Sequence, residues 1–207
     1  MLKNIAIFAS GAGSNFKNIK MSIDNGNING TIVLLISNNP NCGAVIFARR
    51  YKINCEIIND YRYKNIKEKD TQYKLVLDSY KTDLILLAGF MKKIPLNLIN
   101  DYKNKIINIH PSLLPKYGGS GYYGIKIHQS VIKHNEKETG VTIHFVTENY
   151  DEGPVIMQRK IFVRIGDTPE ILSKRVLQIE HEVYQLVVKA FCSNKITVNK
   201  NKVIINE

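Results

Sequence analysis

The sequence of 207 residues predicts an α/β fold, with a doubly wound, mostly parallel sheet, helices on both faces and a single domain over residues 1–207. Short apolar runs bounded by turn residues alternate along the chain with amphipathic helical patterns, which is the arrangement typical of parallel sheets. A strand, a glycine-rich loop and a helix follow one another at the start. No repeat, low-complexity tract or linker divides the chain.

In the first half, apolar runs predict strands at Asn4–Ala9, Thr31–Ile36, Asn54–Ile58 and Leu84–Ala88. The last of these is continuously apolar, as expected of a buried central strand. Helical spacing predicts helices at Phe16–Ile23, Gly43–Tyr51, Gln72–Tyr80 and Pro95–Asn100. The polar segment Asn59–Lys69 is expected to be a loop that runs into the third of these helices.

In the second half, the patterns predict strands at Ile106–His110, Val141–Val146 and Val155–Val163, and a helix at Ile125–His134. A long helix is expected to begin with Thr168 as its N-cap and Pro169 at its first position, and to end near Ala190. The segment Lys195–Ile205 is expected to form a short hairpin.

The strand Ile106–His110 carries two polar side chains in an otherwise apolar run. Asn108 and His110 are two residues apart, so both leave the strand on the same side. Pro111 has no N–H to donate and ends the strand. Right-handed crossovers place the carboxyl ends of the first, fourth and fifth strands at one edge, where open α/β sheets bind ligands.

The loop Ser10–Asn15 reads S-G-A-G-S-N and precedes a helix, a geometry that holds phosphate groups. A helix-capping turn, with Ser14 or Asn15 as the cap, is an equally good interpretation. Position 16 is Phe where a dinucleotide fingerprint has glycine, and no acidic residue ends the second strand, which argues against a nucleotide-dependent oxidoreductase.

The net charge of +11 suggests a polyanionic partner. The lysines are scattered and are not interleaved with stacking aromatic residues, so nucleic-acid binding is an unlikely main function. A basic field equally attracts phosphorylated or polycarboxylate substrates.

Cys42, Cys55 and Cys192 form no C-x-x-C pair, and no metal site is expected. No membrane-length apolar run or signal-peptide pattern is present, which predicts a cytoplasmic protein.

A protonated imidazole beside an amide N–H can stabilise a developing oxyanion at an acyl centre. The loop Thr147–Gly153, which follows a predicted strand, carries three carboxylates, and a carboxylate near His110 would raise the pKa of its ring. Ser112 lies past Pro111 without a nucleophile-elbow pattern. The residues therefore favour direct acyl transfer to an amine or water.

The segment Asn108–Tyr117, N-I-H-P-S-L-L-P-K-Y, resembles the signature of the folate-dependent formyltransferase family. The motifs at Gly11–Asn15, Ala88–Met91, His144–Val146 and Tyr150–Pro154 extend the resemblance over nearly the whole chain. With them the sequence resembles the phosphoribosylglycinamide formyltransferases of purine (IMP) biosynthesis.

The resemblance implies that the amine of glycinamide ribonucleotide attacks the formyl carbon of 10-formyltetrahydrofolate, the co-substrate. Asn108 would donate to the resulting oxyanion. His110, as imidazolium, would stabilise the oxyanion and act as proton donor. Asp151 would raise the pKa of His110 and position a water that carries the amine proton to the leaving folate nitrogen.

The resemblance also assigns binding residues. The ribonucleotide would contact Gly13, Ser14, Asn15 and, through its glycinamide end, Glu180. The folate would contact Met91, Lys92, Lys93, Ile94, Asn108, Thr147, Glu148, Asn149, Tyr150 and Asp151. No metal is required, no membrane is involved, and a monomer or homodimer is expected.

Two alternatives within the resemblance stay open. The methionyl-tRNA formyltransferases share the H-P-S-L-L-P segment, but they carry a second, C-terminal RNA-binding domain for which 207 residues leave no room. A basic nucleic-acid-binding relative without activity is the other. The sequence also departs from many relatives at Ile66, where they carry an Arg that contacts folate, and Lys64 or Lys67 would be the substitute.

Overall fold

The structure is a computed structural model that describes residues 2–200 and 202–206. Its strands are β1 (Lys3–Phe8), β2 (Gly30–Ser37), β3 (Cys55–Ile57), β4 (Leu84–Leu87), β5 (Ile106–His110), β6 (Glu138–Phe145), β7 (Val155–Phe162), β8 (Ile196–Asn199) and β9 (Lys202–Ile205). Its helices are α1 (Ser14–Asp24), α2 (Gly43–Arg50), α3 (Ile66–Ser79), α4 (Leu96–Asp101), α5 (Ile125–Lys133) and α6 (Pro169–Cys192).

Seven strands form one sheet in the order β3-β2-β1-β4-β5-β6-β7. β1 pairs in parallel with both β2 and β4, and β2 pairs in parallel with β3. The last pair, β6 and β7, is antiparallel. The predicted α/β fold with a mostly parallel sheet is confirmed, and β1, β4 and β5 are consecutive in the sheet.

The chain divides into two compact units, Met1–Ile107 and Asn108–Glu207. In the first unit the core is built on β1, whose residues Ile5–Phe8 have no exposed surface. The ring of Phe8 stacks on Tyr73 of α3, with 5.7 Å between centroids. Burial of such large apolar side chains supplies the main stabilisation of this unit. That residues 1–207 act as a single domain stays a prediction.

In the second unit the long helix α6 packs on α5, β6 and β7. Its buried face includes Val176, Val183, Tyr184 and Val187. Thr168 is the N-cap of α6, as predicted, and its side chain accepts a hydrogen bond from the N–H of Ile171. The strands β8 and β9 form the predicted hairpin, and β9 contacts β7.

Two boundaries differ from the sequence-based prediction by more than two residues. The helix expected at Gln72–Tyr80 begins at Ile66, because the side chain of Asn65 accepts from the N–H of Lys67 and caps it. β6 begins at Glu138 and not at Val141, because Glu138 pairs with Phe162 of β7.

Among the residues that the structure describes, none of the helices is apolar over a length that would cross a bilayer.

Candidate active site

β5 supplies two candidate catalytic side chains. Asn108 is half-buried, and His110 is only 5% exposed at the end of the strand. Both contact Asp151, so both point to the same side of β5, as the period of two predicts. A strand backbone therefore holds the amide and the imidazole at a fixed separation.

Asp151 lies in the loop after β6 and contacts both residues of β5. Its Oδ2 is 3.5 Å from Nδ1 of His110, and its Oδ1 is 3.4 Å from Nδ2 of Asn108. The backbone N–H of Gly119 donates to Oδ2 over 2.9 Å. Oδ1 is also 3.5 Å from Nε2 of His144. The structure thus brings Asn108, His110 and Asp151 together in the second unit, with His144 as a fourth member.

Hydrogen bonds to backbone carbonyls fix the protonated nitrogen of each ring, because a carbonyl oxygen only accepts. Nε2 of His110 lies 2.8 Å from the carbonyl oxygen of Tyr117, so Nε2 carries the hydrogen. Nδ1 of His144 lies 2.9 Å from the carbonyl oxygen of Phe145, so that nitrogen is its donor. In the neutral rings, the lone pairs of His110 Nδ1 and His144 Nε2 face Asp151.

The amide of Asn108 is oriented by these lone pairs. Its Nδ2 lies 3.1 Å from Nε2 of His144, which accepts from it when the ring is neutral. The contact of Nδ2 with Asp151 is longer, at 3.4 Å. His144 therefore holds the donor end of the Asn108 amide toward the carboxylate.

The ionisation of His110 differs from the expectation. Burial lowers the pKa of His110, and the opposing effects of the Asp151 charge and the Tyr117 carbonyl are smaller. Asp151 raises the pKa of His110, as expected, but desolvation outweighs this effect, so the pKa lies below its ordinary value and the imidazolium has to form during a reaction. Burial alone would raise the pKa of Asp151, but contacts with His144, His110 and the Gly119 N–H together lower it, so the carboxylate is ionised.

The segment after β5 is tied to β6 by one hydroxyl group. Oγ1 of Thr142 donates to the carbonyl oxygen of Ser112 and accepts from the N–H of Leu114. Gln158 of β7 donates to the same Oγ1 and to the carbonyl oxygen of Leu114. Oγ of Ser112 itself donates to the Lys116 carbonyl oxygen over 2.6 Å, so this hydroxyl is engaged in holding the segment.

Two glycines shape the loops around Asp151. A Cβ atom on Gly118 would lie 2.5 Å from Leu114 and 3.3 Å from Cβ of Asp151. A Cβ atom on Gly153 would lie only 1.7 Å from the carbonyl oxygen of Phe145. The carbonyl of Pro154 accepts from the N–H of Phe145, which closes the Asp151 loop. Gly153 thus permits the chain to return to the sheet directly after Asp151.

The glycine-rich loop lies in the first unit, between β1 and α1. Gly13 is the N-cap of α1 at φ 71° and provides no side-chain hydrogen bond, so the interpretation of Ser14 or Asn15 as the cap is wrong. A Cβ atom on Gly13 would lie 2.9 Å from that of Ala44, which requires glycine there. Gly13, Ser14 and Asn15 stand together at the N-terminus of an 11-residue helix, where backbone N–H groups and the helix dipole favour anions.

The other predicted binding residues lie in both units. In the first unit, Met91, Lys92 and Lys93 are exposed and Ile94 is buried. The N–H of Met91 donates to Oγ of Ser10, which joins this segment to the start of the glycine loop.

In the second unit, the loop Thr147–Tyr150 precedes Asp151. Glu148, Asn149 and Tyr150 are exposed, and Thr147 is half-buried. Asn149 donates to Glu152 over 2.8 Å, a contact within the loop itself. Glu180 is half-buried on α6 and acts electrostatically on Tyr184.

Sequence reasoning missed His144 as a member of the site. The sequence assigned His144 only to a strand pattern and a family motif. Its position on a strand just before the Asp151 loop could have indicated that it belongs to the site. Within residues 2–200 and 202–206, no three or more His, Cys, Asp or Glu side chains are grouped to hold a metal ion.

Comparison with known proteins identifies the family. The Formyl transferase family model matches residues 3–188. The chain is 42% identical over 195 residues to the chloroplastic phosphoribosylglycinamide formyltransferase of Arabidopsis thaliana, covering 94% of this chain and 67% of that protein. It is 32% identical to the phosphoribosylglycinamide formyltransferase of Escherichia coli (strain K12), covering 96% of this chain and 91% of the other.

A solved structure agrees with these similarities. Glycinamide ribonucleotide transformylase 1 from Symbiobacterium toebii superposes with a TM-score of 0.92 at 30% identity, covering 100% of this chain and 95% of the other. The chain spans 64% of the plant relative from Vigna unguiculata and 19% of the human trifunctional purine biosynthetic protein adenosine-3. The chain therefore belongs to the formyl transferase family and, within it, to the phosphoribosylglycinamide formyltransferases.

Proposed function

We propose that this chain transfers the formyl group of 10-formyltetrahydrofolate to the amine of 5-phosphoribosylglycinamide, a step of purine (IMP) biosynthesis. The cluster of Asn108, His110, His144 and Asp151 is the observation that supports this most directly. It combines an amide donor, a lone pair on a neutral imidazole and a buried carboxylate, which together suit attack of an amine on an acyl carbon.

In the proposed reaction the amine nitrogen bonds to the formyl carbon, and the carbonyl oxygen becomes an oxyanion. Asn108 donates to this oxyanion by giving up its longer, 3.4 Å contact with Asp151. The amine proton passes to Nδ1 of His110, either directly or through a water beside Asp151. The imidazolium then forms during the reaction, where it stabilises the oxyanion, and is not present beforehand.

Collapse of the intermediate breaks the bond between the formyl carbon and the folate nitrogen. His110 returns its proton to that nitrogen, so the ring is neutral again at the end of the cycle. Asp151 stays ionised and stabilises the imidazolium while it exists, and His144 orients the Asn108 amide. Asn108, His110 and Asp151 are thus the proposed catalytic residues, and His144 is a proposed positioning residue.

For the ribonucleotide, we propose that the phosphate binds the N–H groups at Gly13, Ser14 and Asn15, and that Glu180 holds the glycinamide end. The left-handed Gly13 and the start of α1 support an anion site. The folate is proposed to contact the segments Met91–Ile94 and Thr147–Asp151 together with Asn108. We also propose that the enzyme is cytoplasmic and that it is a monomer or a homodimer.

The direct test is turnover of purified protein with glycinamide ribonucleotide and 10-formyltetrahydrofolate, without ATP. We expect formylated ribonucleotide and tetrahydrofolate in equal amounts. A His110→Gln variant, with its folding checked by circular dichroism, serves as the control. A folded wild-type protein that forms no product from this pair would refute the proposal.

A further inference from the structure

The segment Tyr117–Gly119 contacts both members of the imidazole–carboxylate pair. The carbonyl oxygen of Tyr117 accepts from Nε2 of His110 over 2.8 Å. The N–H of Gly119 donates to Oδ2 of Asp151 over 2.9 Å. One short stretch of backbone therefore orients the ring with an acceptor and the carboxylate with a donor.

The backbone of Tyr117 has an uncommon conformation. Its φ is 56°, in the left-handed region that bulky L-residues rarely adopt. The direction of the Tyr117 carbonyl depends on this conformation. Contacts elsewhere must therefore hold the residue in place.

The side chain of Tyr117 supplies such contacts. Its hydroxyl donates to Oε1 of Glu136 over 2.9 Å. Its ring stacks on His134 at 5.9 Å and meets the edge of Tyr122 at 5.7 Å between centroids. Nζ of Lys116 lies 3.0 Å from both carboxylate oxygens of Glu136. Glu136, in the turn between α5 and β6, thereby fastens two successive residues of the segment.

The tautomer of His110 follows from this arrangement. A neutral imidazole beside a carboxylate gains most from placing its hydrogen on the nitrogen that faces the carboxylate. In His110 that nitrogen is Nδ1, yet the Tyr117 carbonyl holds the hydrogen on Nε2. Asp151 favours the tautomer with the hydrogen on Nδ1, but the Tyr117 carbonyl stabilises the other tautomer. Nδ1 therefore keeps the lone pair that accepts a proton.

We propose that Tyr117 and Glu136 are positioning residues, which hold the Tyr117 carbonyl against Nε2 of His110 and so keep Nδ1 as the proton-accepting atom. The catalytic consequence rests on the proposed function. The inference about the tautomer of the ring does not rest on the proposed function, because the tautomer is measurable without turnover.

Other charged or titratable groups also face these residues. His110 is under the influence of Asp151, His144 and His128. Tyr117 is under the influence of Glu136 and Tyr122, and burial with these neighbours raises the pKa of its hydroxyl to about 12. The phenol therefore stays protonated and donates to Glu136 throughout the neutral range.

The test compares Tyr117→Phe, which keeps the ring and loses the hydroxyl, with Glu136→Ala and Glu136→Gln. The matched control is Glu138→Ala, because Glu138 makes a comparable exposed ion pair, to Lys160 at 2.8 Å, outside the segment. Nitrogen-15 NMR of histidine-labelled protein reports the tautomer of His110, which is assigned from a His110→Gln spectrum.

We expect the wild type and Glu138→Ala to show the Nε2–H form. Tyr117→Phe and Glu136→Ala should show a mixture containing Nδ1–H, and Glu136→Gln, which keeps an acceptor for the phenol, should restore the wild-type form. If Tyr117→Phe does not fold, Glu136→Ala carries the test. A pure Nε2–H ring in every folded variant, or an equal change in Glu138→Ala, would overturn the inference.

Kinetics provide the second readout. Loss of one hydrogen bond should lower kcat about fivefold in Tyr117→Phe and Glu136→Ala, with little change in KM. The pKa of His110, followed by NMR titration, should fall further as the carbonyl contact, which raises it, weakens. An altered tautomer without turnover in the wild type would refute the proposed function and leave the inference standing.

Discussion

Oδ2 of Asp151 lies 3.5 Å from Nδ1 of His110, the nitrogen that carries the lone pair in the neutral ring. A lone pair facing a carboxylate is unfavourable, whereas an N–H⁺ facing it is favourable. Burial opposes the charged ring, so the pKa of His110 lies below its ordinary value and the ring is neutral before a proton is delivered. The pair is arranged to accept one proton during a reaction and to release it again.

Replacing the carboxylate should therefore remove the stabilisation of the imidazolium. We expect Asp151→Asn to lower kcat by about 10²- to 10⁴-fold with the fold retained. Glu152→Gln is the matched control, because Glu152 is an exposed carboxylate in the next position that binds Asn149. Initial rates of both variants decide the question, and similar losses in the two would contradict the assignment.

The protonation of His110 should follow the direction set by burial. An NMR titration of the folded protein is expected to give a midpoint below the ordinary imidazole value of 6.5. The Asp151 charge raises this pKa, so its removal in Asp151→Asn should move the midpoint further down. A wild-type midpoint at or above 6.5 would mean that the carboxylate outweighs desolvation.

The hydroxyl group of Thr142 should contribute more to the stability of the fold than the small size of the side chain suggests. Thr142→Val keeps the shape but removes the hydroxyl that joins Ser112, Leu114 and Gln158. Leaving the half-buried Leu114 N–H without this partner is expected to lower the free energy of unfolding by about 2 kcal/mol. Urea denaturation measures the change.

The same strand offers a control for Thr142. Thr139 is also buried on β6, and among the described residues its Oγ1 has no hydrogen-bond partner. Thr139→Val should therefore be neutral or stabilising, because it removes an unsatisfied polar atom. Equal destabilisation by the two substitutions would show that shape, and not the hydroxyl contacts, determines stability here.

His128 should make the protein sensitive to acid. Burial, with a smaller effect of His110, lowers the pKa of His128 to about 4. Between pH 6.5 and 4 the unfolded chain binds a proton at this site and the folded chain does not, so stability falls as pH falls.

The size of that loss can be measured. From pH 7 to pH 5 this group should contribute a decrease of about 2 kcal/mol in the free energy of unfolding. His128→Leu should flatten the dependence by that amount, as judged by urea denaturation at both pH values. An unchanged pH dependence in the variant would exclude His128 as its source.

The sequence predicted the parts of the site that depend on local periodicity. The spacing of Asn108 and His110 determined their common side, and the Thr168-Pro169 pair determined the start of α6. The start of α3 was missed because Lys67–Thr71 is polar, although Asn65 followed by Glu68 is a capping pattern that marks it.

The parts that depend on three-dimensional surroundings were not predictable in this way. The expected effect of Asp151 on the pKa of His110 is present, but the larger, opposite effect of burial was not predictable, because the extent of burial is set by the packing of several elements. The contact of its Nε2 with the Tyr117 carbonyl depends on a left-handed residue that no pattern marks. His144 became part of the site only through its distance to Asn108 and Asp151.

The position of β7 at the end of the sheet has a consequence for the protein in concentrated solution. A terminal strand presents backbone N–H and C=O groups that can pair with a second molecule. Arg159 and Lys160 are exposed on β7, and β9 lies against the strand. The charged side chains of β7 and its partial covering by β9 are features that disfavour strand addition between copies.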